Sequence, residues 1–317
     1  MARHELVPKR RTLHAHYAPS LAPALEIDSG DTVECSTLDV SWGMENHTST
    51  TEPRRKFEPR DPVVDDGPCL LGPILVRGAK PGDTLEIAID ALDPGPWGWT
   101  LAGAGITPPP LARALGLEDA PMALVRWEID RSRGIAANQF GHTVALRPFL
   151  GMMGVSPPGP GPHSGWTPTI HGGNMDCTAL QQGSTLYLPV GVPGALVSIG
   201  DGHAAQGDGE IGGTAIECRM ERAALTMTVR TDPHVTSPRV RTDSAWVTLG
   251  LGPTLDDAMH GAMRAMLDVM TEELGVSRTE ALALGGAVVD LRITQVVNGV
   301  VGVHAVWRDA ALRAGGA

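Results

Sequence analysis

The chain lacks a basic face. It carries 25 Lys and Arg against 36 Asp and Glu, a formal net charge of −11, with a pI near 5.4. That balance argues against a nucleic-acid partner and suits a small neutral or cationic ligand. It also lacks long apolar runs. No stretch approaches the roughly 18 apolar residues of a membrane span. The basic start, MARHELVPKRRTLHAHYAPS, has no apolar run behind it and does not read as a secretory signal. Cysteines are few: Cys35, Cys69, Cys177 and Cys218, with no CxxC pair. They form neither a disulfide framework nor a zinc ribbon, so a reduced, cytoplasmic setting is the expectation. Aromatic residues make up only 4% of the chain, which makes the close pair Trp97 and Trp99 stand out. No GxSxG elbow surrounds Ser164 or Ser198, and no nucleotide fingerprint is present.

What is abundant is turn chemistry. Gly 39 and Pro 26 are dispersed among apolar runs, the pattern of many short strands joined by tight turns. IDSGDTVECSTLD (Ile27–Asp39) and AKPGDTLEIAIDAL (Ala79–Leu92) each place a Gly-Asp-Thr turn before an alternating segment. The polar stretch between them reads as a long loop, as does Asp93–Pro110 with its two tryptophans. Ser184–Gly200 reads as a hairpin turning at Val192-Pro193-Gly194. Gly154–Cys177 is too rich in Gly and Pro for regular structure.

Helical periodicity is confined to the end of the chain. Leu255, Met259, Ala262, Met263, Met266, Met270 and Leu274 recur at steps of three and four. Thr254 can cap that helix and Gly275 can stop it. Ser277 with Glu280 forms a capping box for a shorter helix ending near Gly285. The tail returns to strands around Asn298-Gly299. The expected fold is α+β and β-rich: mostly antiparallel sandwich or barrel-like sheets with a C-terminal helical pair. With 42% hydrophobic residues the chain can build a large core. That core would lie in two β-rich regions, 1–150 and 151–317, or in one intertwined domain.

Two polar clusters carry the chemistry. One is HGGNMD, with His171, Asn174 and Asp176. The other is GDGHAAQGDGE, with Asp201, His203, Asp208 and Glu210; Glu217 follows on the next strand. Imidazole and carboxylate together are ligands for zinc and similar divalent ions. In an extended chain, Asp201 and His203 point the same way and can grip one ion. His171 and Asp176 could complete that shell. A carboxylate left uncoordinated would be a general base for a metal-bound water. The plain alternative is a surface turn, because Asp and Gly are ordinary turn residues. Unpaired acids in a tight loop would repel and raise one another's pKa, and a cation would balance them. Trp97 and Trp99 could line a substrate pocket. Cys177 beside Asp176 lacks the partner set of a cysteine hydrolase.

At HGGNMDC and GDGHAAQGDGE the sequence resembles the acetamidase/formamidase family, in which an HGGNxD segment precedes GDxHxxxGDGE by about thirty residues. LLGPILVRGAKPGDTLEIAI, LRPFLGMMGVSP and DLRITQVVNGVVGVHA resemble further motifs of that family. The likeness runs over roughly residues 27 to 307. It implies hydrolysis of the C–N bond of short linear amides to carboxylate and ammonia, a β-rich fold and a homodimer or higher oligomer. It also implies a bound metal, expected to be zinc. Under that reading the metal ligands are His171, Asp176, Asp201 and His203. Glu210 is the first choice for the base and Asp208 the second. Asn174 binds the amide or its oxyanion. Three departures, the charged segment Ser41–Asp66, Leu71 in place of the family's Thr and the loop holding Trp97 and Trp99, leave the identity of the amide open. A metal-dependent hydrolase of a cyclic imide or ester, and a silent metal-containing binding protein, remain the alternatives.

Overall fold

A computed structural model describes residues 1–232 and 234–312. Two large sheets dominate it, and each draws strands from residues before and after 150. The nine-stranded sheet runs in the order Arg3–Leu6, Asp31–Cys35, Met220–Arg230, Thr84–Pro94, Thr185–Pro189, Arg239–Arg241, Ala245–Gly252, Val301–Arg308 and Val289–Gln295. Only its first pair is parallel. The eleven-stranded sheet centres on Val197–His203. That strand pairs antiparallel with Phe149–Val155 on one side. Its other edge is shared between Leu70–Val76 and Glu217–Cys218. Trp97–Ala102 and Ala123–Asp130 extend the sheet beyond Glu217. The β-rich, mostly antiparallel fold expected from the dispersed Gly and Pro is the one observed.

The main core fills with Leu85, Ile87, Leu186, Leu188, Val197, Ile199 and their neighbours, drawn from both sheets. Leu85, Ile87 and Ile89 face inward at alternate positions, as a half-buried strand requires. Val197–His203 differs, because every residue in it is buried. A central strand covered on both faces shows no alternation, and this one carries Asp201 and His203 into the interior.

The hairpin expected at Ser184–Gly200 does not form. Thr185–Pro189 pairs with Thr84–Pro94 in one sheet, and Val197–His203 belongs to the other. The linker passes between sheets through Gly194, Ala195 and Leu196, all at positive φ. The Trp97/Trp99 segment is likewise a strand rather than a loop; it pairs with Ala123–Asp130. The polar stretch after Cys35 holds no strand before Leu70 and is the expected long loop.

The helical pair forms as expected. The Thr254 hydroxyl accepts the Asp257 N–H, Gly275 sits at φ 65°, and Ser277 and Glu280 cap each other reciprocally. The second helix runs on to Val288. The buried stripe of the first is Ala258, Ala262, Met266, Val269 and Met270, packed on Val303, Ala305 and Trp307; Leu255 is exposed. The helix lies very close to the sheet at Gly250. A Cβ there would sit 1.9 Å from the Ala258 carbonyl oxygen and 2.2 Å from the Ala262 nitrogen. Backbone cannot yield as a flexible side chain does. Gly250→Ala should therefore cost about 3 kcal/mol, seen as a lower urea midpoint with unchanged slope. An unchanged midpoint would show that the contact is looser than described.

Candidate active site

His203 is the hub. The antiparallel ladder sets Glu217 directly opposite it on one side and Phe149 on the other, with Trp99 next beyond Glu217. Cross-strand neighbours on one face of a sheet meet, so register alone brings the Glu217 carboxylate to the imidazole. Nε2 lies 3.2 Å from Glu217 Oε2 and 3.1 Å from Asp201 Oδ1. The Phe149 ring stands edge-on to the imidazole, with centroids 5.0 Å apart.

The other ring nitrogen has a fixed partner. Nδ1 lies 2.9 Å from Gln206 Oε1, while Gln206 Nε2 donates to the Asp176 carbonyl. The amide nitrogen is committed, so the amide oxygen must accept from Nδ1–H. Nε2 is then the atom free to act as a ligand, in the manner of a histidine oriented by a neighbour behind it.

Asp176 and Glu210 close the site from two loops. Asp176 N–H and Met175 N–H both donate to the Gly151 carbonyl. Asn298, from the turn before the last strand, donates to Asp176 Oδ2 and to the Asn174 carbonyl. Asp176, Asp201 and Glu210 all lie at positive φ, 48°, 57° and 45°. Side chains other than Gly rarely adopt that conformation, and strain of this kind clusters at functional sites. Ligand atoms of Asp176, His203 and Glu210 lie within 4.8 Å of one another, as do those of Asp201, His203 and Glu217. Asp176 Oδ1, Asp201 Oδ1, His203 Nε2, Glu210 Oε2 and Glu217 Oε2 are buried, and beyond the approaches of Nε2 to Asp201 and Glu217 they have no hydrogen-bond partner. These atoms fall in two overlapping groups that share His203 and could hold a cation.

Electrostatics agree. Burial pushes the Asp201 carboxyl up to about 7, with Glu217 adding to the rise and His203 opposing it. Burial and Asp201 raise Asp176 to about 6. Burial and Asp176 hold Glu210 well above the usual carboxylate range. Burial opposes charge on His203, yet Asp201 and Glu217 outweigh it and hold its pKa well above the ordinary value.

Not every residue singled out from the sequence arrives here. His171 lies in neither group; its Nδ1 bonds the Pro189 carbonyl, 2.8 Å away. Asp208 is exposed and engaged by the Thr178 hydroxyl and Arg292. Its neighbour Gly209 turns the chain at φ 101°, which separates it from Glu210. Trp97 packs at the rim of an apolar cluster, away from the cavity, while Trp99 lines it. Asn174 is present, but its Nδ2 donates to the Trp166 carbonyl, leaving Oδ1 unpartnered as an acceptor. Cys177 is buried and its thiol is pushed up to about 12 by burial, which disarms it as a nucleophile. Glu217, Gln206 and Asn298 carry site geometry that the sequence reading assigned to none of them. An acid inside the apolar run TAIECRM was the visible signal for Glu217.

A model of the Acetamidase/Formamidase family matches residues 2–160 and 165–237. The chain belongs to that family. It is 27% identical over 272 residues to a protein of Schizosaccharomyces pombe described as a formamidase, covering 68% of this chain and 65% of that protein. It is 31% identical over 211 residues to an acetamidase of Mycolicibacterium smegmatis, covering 47% and 50%. The chain thus spans between half and two thirds of the length of these relatives. A crystal structure of an acetamidase from Bacillus halodurans superposes with a TM-score of 0.82 at 28% identity, over 96% of this chain and 97% of that one. Asn298 and the helical pair lie beyond the residues that the family model matches. No described helix is long and apolar enough to cross a membrane.

The raised carboxyls set a sign for stability. Asp176 and Asp201 hold protons in the folded, metal-free chain that they lose on unfolding. Their contribution is complete below about 4 and disappears as pH rises towards about 7. The melting temperature of chelator-treated protein should fall across that interval, and fall less in Asp201→Asn. Identical slopes in the two proteins would contradict the charge balance described here.

Proposed function

We propose that this chain hydrolyses the C–N bond of linear primary amides to carboxylate and ammonia at the His203 cluster, with a divalent cation held there. The observation that carries the reading is the set of four buried acids, Asp176, Asp201, Glu210 and Glu217, lining one cavity and grouped with His203, in a chain of this family. Asp176, Asp201, His203 and Glu217 would hold the ion, and zinc suits an imidazole with carboxylates. Glu217 takes the place expected of His171. A bound divalent ion supplies Lewis acidity towards the amide carbonyl and lowers the pKa of a water at the site.

The remaining work falls to side chains. Glu210 Oε2 has no hydrogen-bond partner, and burial with Asp176 beside it raises the proton affinity of its carboxyl, as suits a group that takes up a proton. It takes the proton from the attacking water and passes it to the departing nitrogen. Asn174 Oδ1 accepts an N–H of the substrate amide. One N–H of Asn174 Nδ2 is donated to the Trp166 carbonyl, which fixes the side-chain amide so that Oδ1 orients the leaving group. Gln206 keeps the His203 proton on Nδ1, and Asn298 steadies Asp176.

Ammonia release from acetamide tests the assignment of the base. Glu210→Gln should lower kcat by roughly a hundredfold or more. Asp208→Asn, whose carboxylate faces Arg292, should run near the wild-type rate. The reverse ranking would move the base to Asp208.

A further inference from the structure

The cavity over the acidic cluster is larger than the smallest amides need. Its volume is about 580 Å³, inside the range of roughly 300–1,000 Å³ that encloses ligands of drug size. Acetamide displaces only a few waters, at about 30 Å³ each. Such a substrate leaves most of the space to solvent.

The lining changes character away from the acids. Val40, Trp99 and Leu101 form one apolar cluster, with Ile106 packed against it, and all four line the cavity. Trp166, 46% exposed, also lines the cavity. Its backbone carbonyl accepts from Asn174 Nδ2, which ties this segment to the residue that receives the amide. Buried apolar walls with Ile106 and Trp166 partly open above them, in a concavity that ends in polar groups, fit a ligand's apolar body.

Charge narrows the class. Among the described residues no Lys or Arg side chain lines the cavity. Its one imidazole, His47, is pushed down to about 4 by burial and by Arg54, and stays neutral. An anionic tail would meet four acids and no cation.

The wall is also preformed. Arg54 and Asp39 form a buried ion pair, and the Trp99 indole N–H donates to the same Asp39 carboxylate, 2.9 Å away. Asp39 further accepts the N–H groups of Ser41 and Gly43. The segment that carries Val40 and His47 is thereby pinned against Trp99, whose ring meets His47 edge-on.

We propose that this site takes primary amides with a bulky, uncharged, apolar acyl group, an aryl or branched-alkyl acetamide, in preference to formamide and acetamide. The inference rests on the amide-hydrolase reading above. Binding energy from a remote apolar group raises kcat/KM when the wall that receives it is already in place.

Ammonia release from formamide, acetamide and phenylacetamide, measured as kcat/KM on the full chain, tests it. Phenylacetamide should exceed acetamide by roughly tenfold or more. Trp166→Ala and Ile106→Asn alter side chains that are not fully buried, and each should shrink that ratio several-fold. Turnover of acetamide with no advantage for phenylacetamide would overturn this inference and leave the hydrolase reading intact. A preference for phenylacetamide that neither substitution changes would overturn the assignment of the apolar walls. No ammonia from any of the three amides would remove the hydrolase reading and this inference with it.

Discussion

Four carboxylates and one imidazole, all buried and arranged in two overlapping groups that share His203, are the constraint on which the rest of this structure depends. Such a cluster is unfavourable by itself. Burial disfavours each ionised carboxylate, and neighbouring carboxylates disfavour one another. The raised carboxyls of Asp176, Asp201 and Glu210 are that cost expressed as proton affinity. Three of the four acids are also held at positive φ, each at a cost of order 1–3 kcal/mol. A fold retains such an arrangement where a cation or a reaction repays it, and both belong to the function proposed here.

The scaffold explains how the cluster survives. Ladder register places Glu217 against His203 with no help from a loop. Gly151 lets the acids close over the strand beneath them. A Cβ at that position would lie 2.4 Å from both Asp176 Oδ1 and Asp201 Oδ2. Gln206 and Asn298 reach the site from the chain beyond His203 and from the turn before the last strand. They fix the tautomer of His203 and the orientation of Asp176, and so join distant parts of the chain to one chemical task.

The fold class was legible because its signals are local. Gly-Asp turns ahead of alternating segments, and caps at Thr254, Ser277 and Gly275, act over a few residues. The hairpin at Ser184–Gly200 failed because a turn signal cannot say which sheet the next strand joins. Within the site, Asp176, Asp201, His203 and Glu210 were visible as acids and imidazole among glycines. His171 misled because it shares a motif with Asp176 while its ring turns to the Pro189 carbonyl. Asp208 misled in the same way, two residues from Glu210. Glu217 was visible beside the second cluster but was given no role, because strand register and not spacing sets it against His203. Asn298 was illegible as a site member, because a turn from the far end of the chain brings it in.

The central claim is that this buried cluster of acids around His203 forms a cation site. The direct test is calorimetric titration of zinc into chelator-treated protein, with proton release followed in buffers of different ionisation enthalpy. The account predicts one ion per chain and release of protons from the raised carboxyls on binding. It also predicts much weaker binding by Gly151→Ala, whose methyl group would occupy the space between Asp176 and Asp201. Absence of stoichiometric binding by zinc, manganese and magnesium alike, in protein that remains folded, would contradict it.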